Sequence, residues 1–170
     1  MEREGTPEEQ LNKSYEEINS SIQSELLDRV LSQTPEFFEE LVVKLLQAMG
    51  YGDEQSLAKA LWGSGDGGID GVIHQDRLGL DVVYIQAKRY GQENTVGRPD
   101  LQKFIGSLSG ASATKGVFVT TSSFSSQAKQ YLDTVQQRVV TIDGDRLVEL
   151  MIQNGVGVRA EQTYTIIRNQ

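Results

Sequence analysis

Residues Val82–Tyr90 read VVYIQAKRY. The first four are β-branched or aromatic, as a buried strand requires. Then come an amide, Gln86, and an ammonium, Lys88, with only Ala87 between them. Alternate side chains on a strand face opposite ways, so Gln86 and Lys88 share one face while Val83, Ile85 and Ala87 share the other. One face stays apolar to the end, and the other turns polar where the strand leaves the core. A strand emerging into solvent would show the same pattern, so the pair gains meaning from what folds beside it.

Upstream lies Trp62–Val72, WGSGDGGIDGV, with five glycines in eleven residues. It flows into a short strand expected over Ile69–His74. A turn at Asp76–Gly79 follows, and the main strand is expected over Leu80–Lys88. Two strands this close pair as an antiparallel hairpin, which brings Asp70 beside Gln86 and Lys88. A carboxylate and an amide oxygen are hard ligands suited to Mg²⁺, with Mn²⁺ as a substitute. An ammonium next to that ion can polarise an attacking water or neutralise charge on a phosphoryl group. The plainer alternative makes Asp70 a satisfied turn residue.

The rest of the chain alternates helix and strand. Pro7 to about Leu31 reads as a charged helix with a narrow apolar stripe of Leu11, Tyr15, Ile18, Ile22, Leu26 and Val30. That stripe suits packing on the main body or on a second subunit. A second helix starts with Thr34 as N-cap and Pro35 in its first turn, and stops at Gly50. One of its glutamates, Glu36, Glu39 or Glu40, can face inward toward Asp70. Further on, a helix is expected over Asp100–Leu108, a strand in KGVFVTTS and a helix in SSQAKQYLDTV capped by Ser125. A strand in RVVTID, a helix in GDRLVELMIQN and an edge strand in the tail Gly157–Arg168 complete the chain. Short connections between such elements imply an α/β fold, a mixed sheet covered by helices on both sides.

Composition excludes several chemistries. There is no cysteine, which rules out thiolate zinc sites, and a single histidine, His74, which argues against a His-rich zinc site or a Ser-His-Asp triad. The cysteine count is compatible with a reducing cytoplasm, and no run of about 20 apolar residues is present to span a membrane. The net charge of −8 is carried by residues 1–40, whereas residues 41–170 hold thirteen acids and thirteen bases. Within Gln86–Lys115 the five bases Lys88, Arg89, Arg98, Lys103 and Lys115 face only Glu93 and Asp100. A local positive patch is therefore compatible with DNA. GSGDGG lacks the Gly-Lys-Ser/Thr of a nucleotide loop, and TTSSFSS offers hydroxyls either to a phosphate or to a helix cap.

Six segments together carry a resemblance: FEELVVKLLQAMGYG, GDGGIDGVI, DRLGLDVVYIQAKRY, NTVGRPDLQKFIGSL, KGVFVTTSSFSSQA and IDGDRLVELM. Over roughly residues 35–157 the chain resembles the catalytic domain of Mrr-type restriction endonucleases, in the PD-(D/E)XK nuclease superfamily. The resemblance implies a three-layer α/β/α restriction-endonuclease-like fold with a central mixed sheet. It also implies a type IV enzyme that cuts methylated double-stranded DNA. Asp70 takes the place of the motif aspartate, and Gln86-Ala87-Lys88 that of the (D/E)XK half-motif, with glutamine for the acid. By the same resemblance Glu39 is the helix acid, the Ala87 carbonyl is a further metal ligand and Gln102 lies near the DNA cleft. Arg89 and Lys103 are candidates to hold the DNA backbone.

The expected division is an acidic helical arm over 1–33, the catalytic domain over 34–157, and an edge strand or tail over 158–170. Full-length relatives carry an N-terminal winged-helix domain, and residues before Thr34 do not read as one. The expectation is thus a catalytic portion or a shortened relative. Cutting both strands requires two active sites, which favours a homo-oligomer. The alternative function is a cleavage-inactive nuclease fold acting as a DNA-binding or assembly module.

Overall fold

A computed structural model of the chain describes residues 5–52 and 70–170. The glycine-rich stretch up to Ile69 lies outside these. In order, the elements are helices α1 (Pro7–Leu31) and α2 (Pro35–Ala48), then strands β1 (Gly71–His74) and β2 (Val82–Lys88). They continue with α3 (Arg98–Gly110), β3 (Lys115–Thr120), α4 (Ser126–Leu132), β4 (Arg138–Ile142) and α5 (Gly144–Gln153).

Local chemistry sets these boundaries. Thr6 and Glu9 form a capping box at the start of α1, and the Thr34 hydroxyl accepts from the Phe37 amide with Pro35 in the first turn of α2. After α2, Gly50 takes φ +97°, a left-handed conformation that glycine adopts without a Cβ penalty. Ser125 accepts from the Ala128 amide and Asp143 from the Arg146 amide, opening α4 and α5.

The sheet order is β1-β2-β3-β4. β1 and β2 form the antiparallel hairpin, turned at Asp76–Gly79, while β2–β3 and β3–β4 are parallel. Two apolar clusters lie on opposite faces. One joins the end of α1, α2 and α5 to Ile73, Ile85, Ala87, Val119 and Ile142. The other joins α3 and α4 to Tyr84, Phe118 and Phe124, with Phe104, Phe118 and Phe124 packed edge to face at centroid distances of 5.5 and 5.6 Å. This is the expected mixed sheet between helical layers. Burial of Val83, Ile85 and Ala87 on one face of β2 fixes its rotation, so that Gln86 and Lys88 face the other way.

The chain ends bear on two expectations. The α1 stripe divides: Leu26, Leu27 and Val30 are buried in the first cluster, whereas Leu11, Tyr15, Ile18 and Ile22 are exposed. The last turns of α1 therefore pack on the main body, one of the two placements expected for the stripe. Gly157–Arg168 forms no strand. Val158 lies beside Ile22 and Leu26, and Arg168 pairs with Glu8 at 2.6 Å, so the tail follows α1 and never reaches a sheet edge.

Candidate active site

The hairpin register pairs Gly71 with Ile85, one residue short of the polar pair. The Asp70 amide donates to the Ile85 carbonyl at 2.7 Å, carrying the pairing one step past the end of β1. This sets the Asp70 carboxylate against the end of β2. Its Oδ2 accepts twice, from the Ala87 amide at 2.7 Å and from Gln86 Nε2 at 3.1 Å. An ionised carboxylate only accepts, so Gln86 must present its nitrogen and turn Oε1 away. Asp70 Oδ1 and Gln86 Oε1 are thus left without a hydrogen-bond donor among the described residues.

Burial pushes the Asp70 carboxyl above its ordinary range; the Ala87 amide, the Lys88 ammonium and the Gln86 side chain partly offset this. Glu39, half-buried in the first turns of α2, is also raised, first by desolvation and then by the charges of Asp70 and Glu36, with Lys88 opposing. Glu39 therefore shares its electrostatic environment with Asp70 and Lys88, while Glu36 and Glu40 are exposed. Of the three glutamates in the sequence reading, Glu39 is the inward one. Asp70 and Gln86 meet at the end of β2, and the charges of Glu39 and Lys88 act on Asp70 or on each other there. Perturbed acids beside a cation are one mark of a functional site, and structural ion-pair networks produce them too.

This donor set fits a hard divalent ion. No group of three or more His, Cys, Asp or Glu side chains forms a cage among the described residues. An ion held by one or two carboxylates and an amide retains most of its waters, which is the coordination Mg²⁺ prefers.

The other expected residues separate. Gln102 and Lys103 are exposed on α3. Arg89 was expected on DNA, but its guanidinium donates to the Leu31 carbonyl at 3.0 Å and its Nε is buried. It holds the C-terminus of α1 to the exit of β2, where a cation also complements the helix dipole. Lys115 is paired with Asp81, and Arg98, exposed, stacks over Tyr131 at 5.2 Å. Tyr90 packs on the second cluster, with its hydroxyl 3.4 Å from Asp100. In TTSSFSS, Ser125 is the expected cap. Thr120, Thr121 and Ser122 are buried and bond to carbonyls of the chain leaving β2, which the sequence reading missed. Their one signal was a run of hydroxyl residues directly after a parallel strand.

Known proteins resemble this chain in sequence and in fold. The chain is 46% identical over 153 residues to the type IV methyl-directed restriction enzyme EcoKMrr of Escherichia coli K12, covering 90% of this chain and 49% of that protein. It spans about half the length of that relative. Among solved structures, the MspJI restriction endonuclease in complex with a 27-mer oligonucleotide superposes with a TM-score of 0.54 at 25% identity, over 82% of this chain and 33% of that one. The DNA modification-dependent restriction endonuclease AspBHI gives a TM-score of 0.61 at 23% identity, over 82% and 36% of the two chains. The restriction endonuclease family defined by the Mrr catalytic domain matches residues 30–151, including every residue of the Asp70–Lys88 cluster and Glu39. The chain belongs to that family.

Proposed function

We propose that this domain is a metal-dependent DNA endonuclease, the cutting portion of a modification-dependent restriction enzyme. One observation carries the reading: both partners of Asp70 bond the same carboxylate oxygen, so Asp70 Oδ1 and Gln86 Oε1 remain to bind an ion. Asp70, Gln86 and the Ala87 carbonyl would hold Mg²⁺, which when bound supplies Lewis-acid polarisation of the scissile phosphate. Lys88 extends from the same face of β2 as Gln86. Its ammonium orients the attacking water and counters charge developing on the phosphoryl oxygens. Glu39, its carboxyl raised above the ordinary glutamate range by desolvation, accepts a proton from that water more readily than an ordinary glutamate. A P–O bond forms from water as the bond to the departing sugar oxygen breaks. Gln102 and Lys103 contact the nucleic acid backbone from α3, and selection by methylation belongs to the whole enzyme.

The test is plasmid nicking with Mg²⁺ or Mn²⁺, on methylated and unmethylated DNA. Wild type should nick, and Asp70→Ala and Lys88→Ala should each lose at least about a hundredfold in rate while retaining DNA binding. Equal nicking by all three proteins sinks the assignment. Binding without cleavage by wild type supports the inactive DNA-binding module.

An assembly reading has its own observation, the exposed Leu11, Tyr15, Ile18 and Ile22 on α1. We propose that this stripe contributes to a homo-oligomer that presents two sites to one duplex. Light scattering that finds a monomer at every concentration, with and without DNA, refutes it.

A further inference from the structure

We infer that Thr120, Thr121 and Ser122 are positioning residues whose three hydroxyls clamp the segment leaving β2 and so fix Lys88 over the site. The inference rests on the nuclease reading of that site.

β2 leaves the sheet at Lys88, which is paired with Thr120 at the end of the parallel register. Past that point no ladder amide from β3 is available to the departing carbonyls. The hydroxyls supply the donors. Thr120 Oγ1 donates to the Lys88 carbonyl at 2.8 Å, Thr121 Oγ1 to that of Tyr90 at 2.6 Å, and Ser122 Oγ to that of Asn94 at 2.5 Å. The Tyr90 amide also donates to the Lys88 carbonyl at 3.1 Å, closing a tight bend. Main-chain bonds then take over, from the Val96 amide to the Ser123 carbonyl at 2.8 Å and from the Ser125 amide to the Val96 carbonyl at 2.9 Å. Residues 88–96 are thus sewn to 120–125 along their length.

The clamp has a fixed base. The Gly144 amide donates to the Ser122 carbonyl at 2.8 Å, and a Cβ at Gly144 would collide with the Thr121 backbone. The first residue of α5 therefore holds the row from behind. Thr120, Thr121 and Ser122 are 0%, 1% and 6% exposed, so their hydroxyls are committed to these carbonyls and are not open to a phosphate. What they restrain is the backbone of Lys88 and the approach to α3. A displacement of about 1 Å in a group that orients the attacking water can cost roughly a hundredfold in rate.

The experiment compares wild type with Thr120→Val, which keeps the shape but loses both the donor to Lys88 and the acceptor for the Ser122 amide, and with Thr120→Ser, which keeps both. Single-turnover cleavage is read with saturating enzyme, alongside DNA binding without divalent ion and amide hydrogen exchange over residues 89–94. Thr120→Val should lose tenfold to a hundredfold in cleavage rate with DNA affinity unchanged and faster exchange at 89–94. Thr120→Ser should recover most of the rate. Should Thr120→Val fail to fold, Thr121→Val with Thr121→Ser as its rescue is read the same way. Wild-type cleavage lost in Lys88→Ala but unchanged in Thr120→Val overturns the clamp alone. An equal loss in Thr120→Val and Thr120→Ser also overturns it, because the hydroxyl is then irrelevant. Absence of cleavage in wild type removes the nuclease reading and the clamp with it.

Discussion

Gln86→Glu restores an acid to the half-motif and should expose why an amide occupies that position. The Gln86 side chain is 3% exposed, and its nitrogen lies 3.1 Å from Asp70 Oδ2. A carboxylate there replaces a hydrogen bond with two like charges in contact. At an effective dielectric of about 20, charges about 3 Å apart repel by roughly 5 kcal/mol. The pair can avoid this by taking up a proton, and holding one at pH 7 against an ordinary glutamate pKa costs roughly 4 kcal/mol. The smaller figure wins, so metal-free Gln86→Glu should lose up to about 4 kcal/mol. For a chain of this length that is a melting temperature lower by roughly 10 °C. The deficit should shrink as pH falls toward 5, because protonation removes the repulsion. Added Mg²⁺ should also restore the variant by mass action on the native state, whereas wild type, with its neutral amide, should respond weakly until a scissile phosphate adds charge. Thermal unfolding in chelator and in rising Mg²⁺, with calorimetry of metal binding, reads all of this. A variant that melts with wild type in chelator and ignores Mg²⁺ would refute the contact between these two side chains. Tight metal binding by free wild type would refute the role given to the amide.

Two further outcomes are expected. Arg89→Ala should destabilise by about 2 kcal/mol in chemical denaturation, since a charged donor to the Leu31 carbonyl is lost, and DNA affinity should change little. A large affinity loss at unchanged stability would return Arg89 to the DNA backbone. Asp70→Asn should be more stable than wild type near pH 8, by about 1 kcal/mol, although it cannot cleave. The sign follows from burial: the folded Asp70 carboxyl is raised. Its contribution is favourable below the ordinary carboxylate range and is lost as pH rises through the elevated folded value. Denaturant midpoints should therefore converge in acid and separate as pH rises through the elevated folded value; parallel curves would contradict the raised carboxyl.

Most of the scaffold was legible because its signals are local. Thr34-Pro35 and Ser125 announce helix starts through caps that bond within three residues. The period-two burial of Val83, Ile85 and Ala87 announces which way β2 faces. The hairpin, and with it the meeting of Asp70 and Gln86, followed from a short turn between two strand-like runs. The misreadings share a cause. Arg89 and Lys115 looked like available cations, yet each found a partner far along the chain, Leu31 and Asp81. The tail alternated like a strand, but no sheet edge is where it runs, and Arg168 meets Glu8 instead.

By itself the sequence determined the order of elements, the polar turn of one strand face and the residue types able to hold a hard ion, since these depend on neighbours a few positions away. Only the tertiary structure decided which glutamate turns inward, which carboxylate oxygen stays open and which hydroxyls grip the strand exit. Those outcomes depend on groups tens of residues apart competing for the same few donors and acceptors once water is excluded, and no local pattern ranks that competition.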